Sequence, residues 1–234
     1  MIETTQPKKS DLPVRAASAV VMVAVAGTAL WLGGWWWTVF VAAVALGVLW
    51  EWWGLVTRIT TYWPQRVAWA IAGLAYVSFA ALVLVFTADI DGFPFVLLIV
   101  AAVVATDVGA YFTGRTFGGP KIAPQISPSK TWSGLAGGMA ASSAIVVIAL
   151  LVVPPWGSAS SNDLAQMAVF GASMAVVAQA GDFLESSMKR RAGVKDSGSL
   201  IPGHGGLFDR ADGLIAACFV LGVVFLFFAL LTRP

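Results

Sequence analysis

The sequence predicts an all-α membrane protein, a polytopic bundle of about seven transmembrane helices, and three observations carry that expectation. Hydrophobic residues fill 59% of the 234 positions and charged residues only 11%, with a mean hydropathy of +0.84. Ordinary soluble domains carry about 25% charged residues, so one water-soluble core cannot hide this much apolar surface. Seven stretches reach or approach the roughly 20 apolar residues that a bilayer-spanning helix needs. The charges between these stretches fall almost entirely into one set of alternate loops.

The spans follow in order as 16–32, 35–56, 67–87, 93–112, 134–153, 164–184 and 213–231. The first is the shortest, and with Lys8, Lys9 and Arg15 ahead of it could pass for a signal peptide. No small-x-small cleavage site precedes a soluble domain, however, and the sequence goes on spanning. No internal repeat, linker or low-complexity tract interrupts the chain. It reads as a single integral membrane domain over 1–234 with a short basic tail at 1–15.

With seven spans, the N-terminus, 57–66, 113–133 and 185–212 share one side, and 33–34, 88–92, 154–163 and the C-terminal tail share the other. Of the 14 Lys and Arg residues, all except Arg233 lie in the first set. The positive-inside rule makes that set cytoplasmic, which puts the N-terminus inside and the C-terminus outside. The net charge of +2 adds little to this.

The composition excludes a soluble enzyme, a nucleic-acid module and a disordered tail. The single cysteine, Cys218, excludes an internal disulfide framework, and the single histidine, His204, excludes two-histidine zinc motifs. Of the 11 tryptophans, Trp31, Trp35, Trp36 and Trp37 fall at an outer turn, and Trp50, Trp52, Trp53 and Trp63 near the inner boundary. Interfacial aromatic belts account for most of them. Gly134 and Gly138 form a GxxxG spacing that allows close helix contact; as a sign of a homodimer it is weak, and the oligomeric state stays open.

Carboxylates inside membrane spans are costly and mark function by default. Three stand out: Glu51 at the inner end of the second span, Asp107 in the fourth and Asp182 late in the sixth. A structural ion pair is the competing explanation, and for Glu51 the nearby Arg58 gives it equal weight as intramembrane polar support. After Asp182, Glu185, Ser186 and Lys189 follow at i+3, i+4 and i+7, on one face if the helix continues.

The loop after this face interleaves Lys189, Arg190, Arg191 and Lys195 with Gly203, His204, Gly205 and Gly206, then Asp209, Arg210 and Asp212. Glycines let backbone N–H groups approach phosphate oxygens, and Lys and Arg neutralise them. Asp209 and Asp212 are one helical turn apart, and such oxygen ligands suit Mg²⁺ rather than zinc. The 113–133 loop has a similar character, with Gly114, Arg115, Lys121, Ser127, Lys130 and Thr131. A solvated charge run would explain either loop alone. Together they point to a polyanion site at the inner bilayer surface.

These residues resemble the phosphatidate cytidylyltransferase (CDP-diglyceride synthetase) family. The strongest match runs Ser186-x-Met188-Lys189-Arg190, Lys195-Asp196, then Pro202-x-His204-Gly205-Gly206-Leu207-x-Asp209-Arg210-x-Asp212. Asp107, Gly109-Ala110-Tyr111, Gly114-Arg115, Ser127-Pro128-x-Lys130-Thr131-Trp132 and Trp50-Glu51 are also similar to it. Ala211 stands in place of a larger residue, and Ser133 where the family commonly has Glu.

The resemblance implies transfer of the cytidylyl group of CTP to phosphatidic acid in the inner leaflet, giving CDP-diacylglycerol and pyrophosphate. The lipid phosphate is already an ionised nucleophile, so positioning and charge neutralisation suffice. Asp182, Asp209 and Asp212 are the expected ligands of Mg²⁺, alone or with a second cation, and Asp209 ranks first. Lys189 is the expected catalytic cation. Ser127, Lys130, Thr131, Ser186, Arg190, His204, Gly205, Gly206 and Arg210 would contact phosphate, with Asp107 as intramembrane support. A CTP-dependent lipid-alcohol kinase would share such a site, and an anionic solute transporter is the non-enzyme alternative.

Overall fold

In a computed structural model the described residues are 12–90, 92–153, 160–201 and 205–232. They form seven helices and one small hairpin: α1 (Leu12–Leu32), α2 (Gly34–Ile59), α3 (Trp63–Ile90), α4 (Phe93–Phe117), β1 (Lys121–Ala123), β2 (Ser127–Thr131), α5 (Trp132–Val152), α6 (Ser161–Ala192) and α7 (Phe208–Leu231). Helices α2 to α7 are long and apolar enough to cross a bilayer; in α1 the apolar run is the shorter Ala16–Leu32, at the lower limit for a span. Large apolar side chains such as Phe225, Phe227 and Leu230 face outward, as lipid allows and water does not. The chain is a multi-pass membrane protein. Because α1 begins at Leu12, the expected 1–15 tail overlaps it; residues 1–11 lie outside the described residues.

The bundle closes through neighbours: α4 lies against α5, α5 against α6, α6 against α7, α7 against α3, and α3 against α2. Small residues set the closest approach. A Cβ on Gly134 or Gly138 would run into the α4 backbone at Ala110 and Thr106. The GxxxG face is therefore occupied inside the chain, by the α4–α5 contact. On α6 the buried positions Gly171, Met174, Ala175, Ala178, Gln179, Gly181, Glu185 and Met188 follow the helical period, and only the last turns carry charge inward.

Two tryptophans depart from the interfacial expectation. Trp31, Trp35, Trp36, Trp50 and Trp63 are exposed, but Trp37 and Trp52 are core residues. Their indole N–H groups donate to Leu84 O at 3.2 Å and Trp69 O at 2.9 Å, which satisfies the one polar atom that burial would strand. Trp52 also packs on Phe208 at the start of α7. It ties α2 to the segment that carries the acidic pair.

The 113–133 loop holds the antiparallel β1–β2 hairpin, with Lys121 opposite Thr131 and Ala123 opposite Ser127. Helix α6 runs on to Ala192 before Gly193 ends it in the left-handed conformation. The expected sixth span thus continues as a charged extension beside the hairpin and the start of α7.

Candidate active site

Glu51 organises the approach to α7. It is buried, and its carboxylate accepts the backbone N–H groups of Leu207 at 3.0 Å and Phe208 at 2.8 Å and the Ser197 hydroxyl at 2.9 Å. Two of the amides that the first turn of a helix leaves unpaired are thereby satisfied by an acid from another helix. The partners are loop and helix-start groups, and not Arg58. Gly198 and Gly206 pack so tightly against this carboxylate that a side chain on either would displace it.

Asp209 is gripped from the other side of the same loop. Its Oδ2 accepts from Ser197 N at 2.9 Å and Gly206 N at 2.9 Å, and shares the Ser197 hydroxyl proton with Glu51, at 3.0 Å from Oγ. Gly205, at φ +82°, turns the chain and pairs with Ile201, which points the Gly206 amide back at Asp209. The remaining oxygen, Oδ1, pairs with Lys189 Nζ at 2.6 Å. Lys189 also pairs with Glu185 Oε2 at 2.6 Å. Its one ammonium therefore bridges two carboxylates that are almost wholly buried.

The expected face of α6 is real. Ser186 donates to Asp182 Oδ1 at 3.1 Å, and the other Asp182 oxygen pairs with Lys130 of β2 at 2.5 Å. Arg190 donates through Nε to Ile126 O in the hairpin at 3.1 Å. These two bonds dock the hairpin onto the end of α6.

A cavity of about 680 Å³ lies among these elements. Five carboxylates line it, Asp107, Asp182, Glu185, Asp209 and Asp212, against four cations, Arg115, Lys121, Lys130 and Lys189. Asp182, Glu185 and Asp212 each bring an oxygen within 4.8 Å of the others. Glu185 Oε1 is buried with no hydrogen-bond partner among the described residues, and burying such an acceptor without a ligand is costly. Three convergent carboxylates with an unanswered oxygen fit a hard divalent cation. A second cavity of about 290 Å³ lies beside it and shares Lys189 and Asp209 as its wall.

The expected site residues sort by position. Asp107, Lys130, Thr131, Asp182, Lys189, Asp209 and Asp212 line the larger cavity, and Ser186, Arg190 and Arg210 the smaller. Thr131 is nonetheless buried, and its hydroxyl caps α5 by accepting from Gly134 N at 3.1 Å. Ser127 is buried and lines neither cavity; Ser129 faces the larger one. Gly205 and Gly206 act on Asp209 through the backbone. Ser133 donates to Gly118 O, locking the turn before the hairpin. His204 lies outside the described residues.

Glu185 sits in the carboxylate cluster where the sequence reading places Asp209, while Asp209 has both oxygens engaged by the loop and Lys189. The helical spacing puts Glu185 on the correct face, but only packing shows that it points inward. Ser197 and Gln179 carry no sequence signal of their own. Gln179 lines the larger cavity one turn before Asp182, with its amide nitrogen buried and without a partner among the described residues.

Residues 53–229 match the cytidylyltransferase family, a stretch that includes every residue of the two cavities. The chain belongs to that family. It is 35% identical to a phosphatidate cytidylyltransferase of Brucella suis, over 96% of each chain. It is 32% identical to that of Rickettsia bellii over 92% of this chain and 90% of the relative, and 37% identical to that of Pseudomonas aeruginosa over 71% and 63%. Within this cytidylyltransferase the matched region begins in α2 immediately after Glu51 and Trp52, which themselves lie just outside it.

Proposed function

We propose that this protein transfers the cytidylyl group of CTP to phosphatidic acid, releasing pyrophosphate and leaving CDP-diacylglycerol in the membrane. The single observation that carries the reading is the larger cavity, where an acidic cluster on α6 and α7 faces Lys130, Lys121 and Arg115 from the hairpin side. Opposed charge of this kind serves a reaction between two polyanions. Membership of the cytidylyltransferase family supports the same chemistry.

The lipid phosphate attacks the α-phosphorus of CTP in line, and the electron pair of the breaking bond leaves on pyrophosphate. No general base is needed, because the attacking oxygen is already ionised. Asp182, Glu185 and Asp212 would hold Mg²⁺, with Asp209 adjacent to them through Lys189. Bound there, the cation would neutralise phosphate charge and polarise the α-phosphorus. Lys189, held by two carboxylates, presents a fixed positive charge to the same space. Lys130 closes the site from the hairpin.

The positive-inside rule applied to the basic loops supports a site on the cytoplasmic side of the cell membrane, where CTP is supplied and the inner leaflet presents its phosphates. Purified protein given CTP, phosphatidic acid and Mg²⁺ should form CDP-diacylglycerol. Label from the α-phosphate of CTP should enter the lipid, and label from the γ-phosphate should not. Transfer of the γ-label would instead assign a lipid kinase.

A further inference from the structure

We infer that the smaller cavity is a separate subsite for the diphosphate of the nucleotide, and that Lys195 is one of its holding residues. This deepens the cytidylyl-transfer reading and rests on it.

The two cavities meet at Lys189 and Asp209 but differ in charge and in lining. In the larger, carboxylates outnumber cations by five to four; the lining of the smaller holds four cations, Lys189, Arg190, Lys195 and Arg210, and two carboxylates, Asp196 and Asp209. The first needs an added cation before it can accept phosphate, and the second has a cationic excess of its own. The larger is lined in part by residues of the bundle helices, Asp107 and Leu135 among them, so it is the one a lipid phosphate would enter from the bundle side. The smaller is built from the last turns of α6, the segment at 195–196 and the first turn of α7. None of its lining residues is apolar, so it suits a ligand that comes from water and returns there.

Side chains supply this anion site, and the helix terminus does not. The amides of Leu207 and Phe208 are held by Glu51, and that of Gly206 by Asp209. Arg190 is fixed by its bond to Ile126 O and Lys189 by its two carboxylates. Lys195 extends the cationic lining away from the carboxylate cluster. A triphosphate with its α-phosphorus beside Lys189 could place its β- and γ-phosphates across that shared wall. The new bond forms between a lipid phosphate oxygen and the α-phosphorus on one side. The bond that breaks leaves its electron pair on the β-phosphate oxygen on the other, so the departing pyrophosphate is already on the water side.

The test combines turnover with pyrophosphate binding on the full-length purified protein. Calorimetric titration with inorganic pyrophosphate in Mg²⁺ should show affinity falling about tenfold in Lys195→Gln, the loss of one charge-assisted bond, and largely kept in Lys195→Arg. The KM for CTP should rise in step while the KM for phosphatidic acid stays. Lys121→Gln, a cation of the larger cavity, should leave pyrophosphate affinity unchanged. Unchanged affinity in Lys195→Gln, an equal loss in Lys121→Gln, or a rise in the KM for phosphatidic acid alone would each overturn the subsite while wild-type turnover stands. Absence of CDP-diacylglycerol formation by the wild type would instead remove the underlying reaction, and the subsite with it.

Discussion

Glu51 accepts the backbone N–H of Phe208 at 2.8 Å, joining positions 157 residues apart. The same carboxylate reaches Ser197, whose hydroxyl also reaches Asp209. A buried acid on α2 thus sets the position of the loop that presents Asp209, and Asp209 in turn sets Lys189. Glu51→Ala would leave the Leu207 and Phe208 amides without an acceptor, at about 1–3 kcal/mol for each unsatisfied group, while the Ser197 hydroxyl keeps Asp209. The thermal midpoint of the detergent-purified protein should fall by several degrees, on the order of 2–4 °C per kcal/mol. Glu51→Gln, which keeps one acceptor oxygen, should fall by less. Equal midpoints for wild type and Glu51→Ala would show that the loop is held by something else.

The membrane topology gives a second prediction. The charge asymmetry predicts 185–212 inside and 154–163 outside. In a Cys218→Ser background, Asn162→Cys should react with an impermeant maleimide in intact cells, and Lys195→Cys only after permeabilisation. Cys218 is fully buried in α7, so its removal serves to silence background rather than to expose the protein. Labelling of position 195 from outside would invert the assignment.

The parts of the fold visible in the sequence are those written in local periodicity. The α6 face of Asp182, Glu185, Ser186 and Lys189 was legible because i, i+3, i+4 and i+7 fix neighbours whatever the tertiary fold. The partner of Glu51 was not, because the groups it holds lie at 197, 207 and 208, while local spacing offers only Arg58. The hairpin was also hidden: strands of three and five residues, one containing Pro128, look like turn residues until Arg190 and Lys130 dock them. Trp52 and Trp37 have the composition of an interfacial belt, and only packing distinguishes a core indole from a lipid-facing one. Between Glu185 and Asp209, one lysine decides the matter. By engaging Asp209 Oδ1 and only one oxygen of Glu185, it leaves the other Glu185 oxygen for the cavity.

That division of labour yields a third prediction. Asp212→Asn and Asp182→Asn should raise the Mg²⁺ concentration for half-maximal turnover and lower maximal turnover by more than 100-fold, because each removes a charge from the cluster. Asp209→Asn should reduce turnover by about 10–100-fold, the usual cost of disturbing a supporting group, with its Mg²⁺ requirement little moved. Metal titrations of the three variants decide it. An Asp209→Asn enzyme that alone demands more Mg²⁺ would transfer the cation to Asp209.

The fourth prediction separates a placed charge from a basic surface. Lys189 lies between Glu185 and Asp209, whose side chains are 1% and 8% exposed. Arg191 is exposed, about 160° around the same helix by its 3.6-residue turn. Lys189→Gln strands two buried carboxylates, a loss of about 3–5 kcal/mol where a buried pair is broken, and removes the cation shared by both cavities. Turnover should fall severely and the thermal midpoint with it, and neither loss should recover at low salt. Arg191→Gln should cost little, and what it costs should shrink as salt screens the surface. If the basic residues serve only to attract anionic lipid, the two variants should instead show similar, modest and salt-sensitive losses. Kinetics at two ionic strengths distinguish the outcomes, and equal effects would deny Lys189 its bridging role.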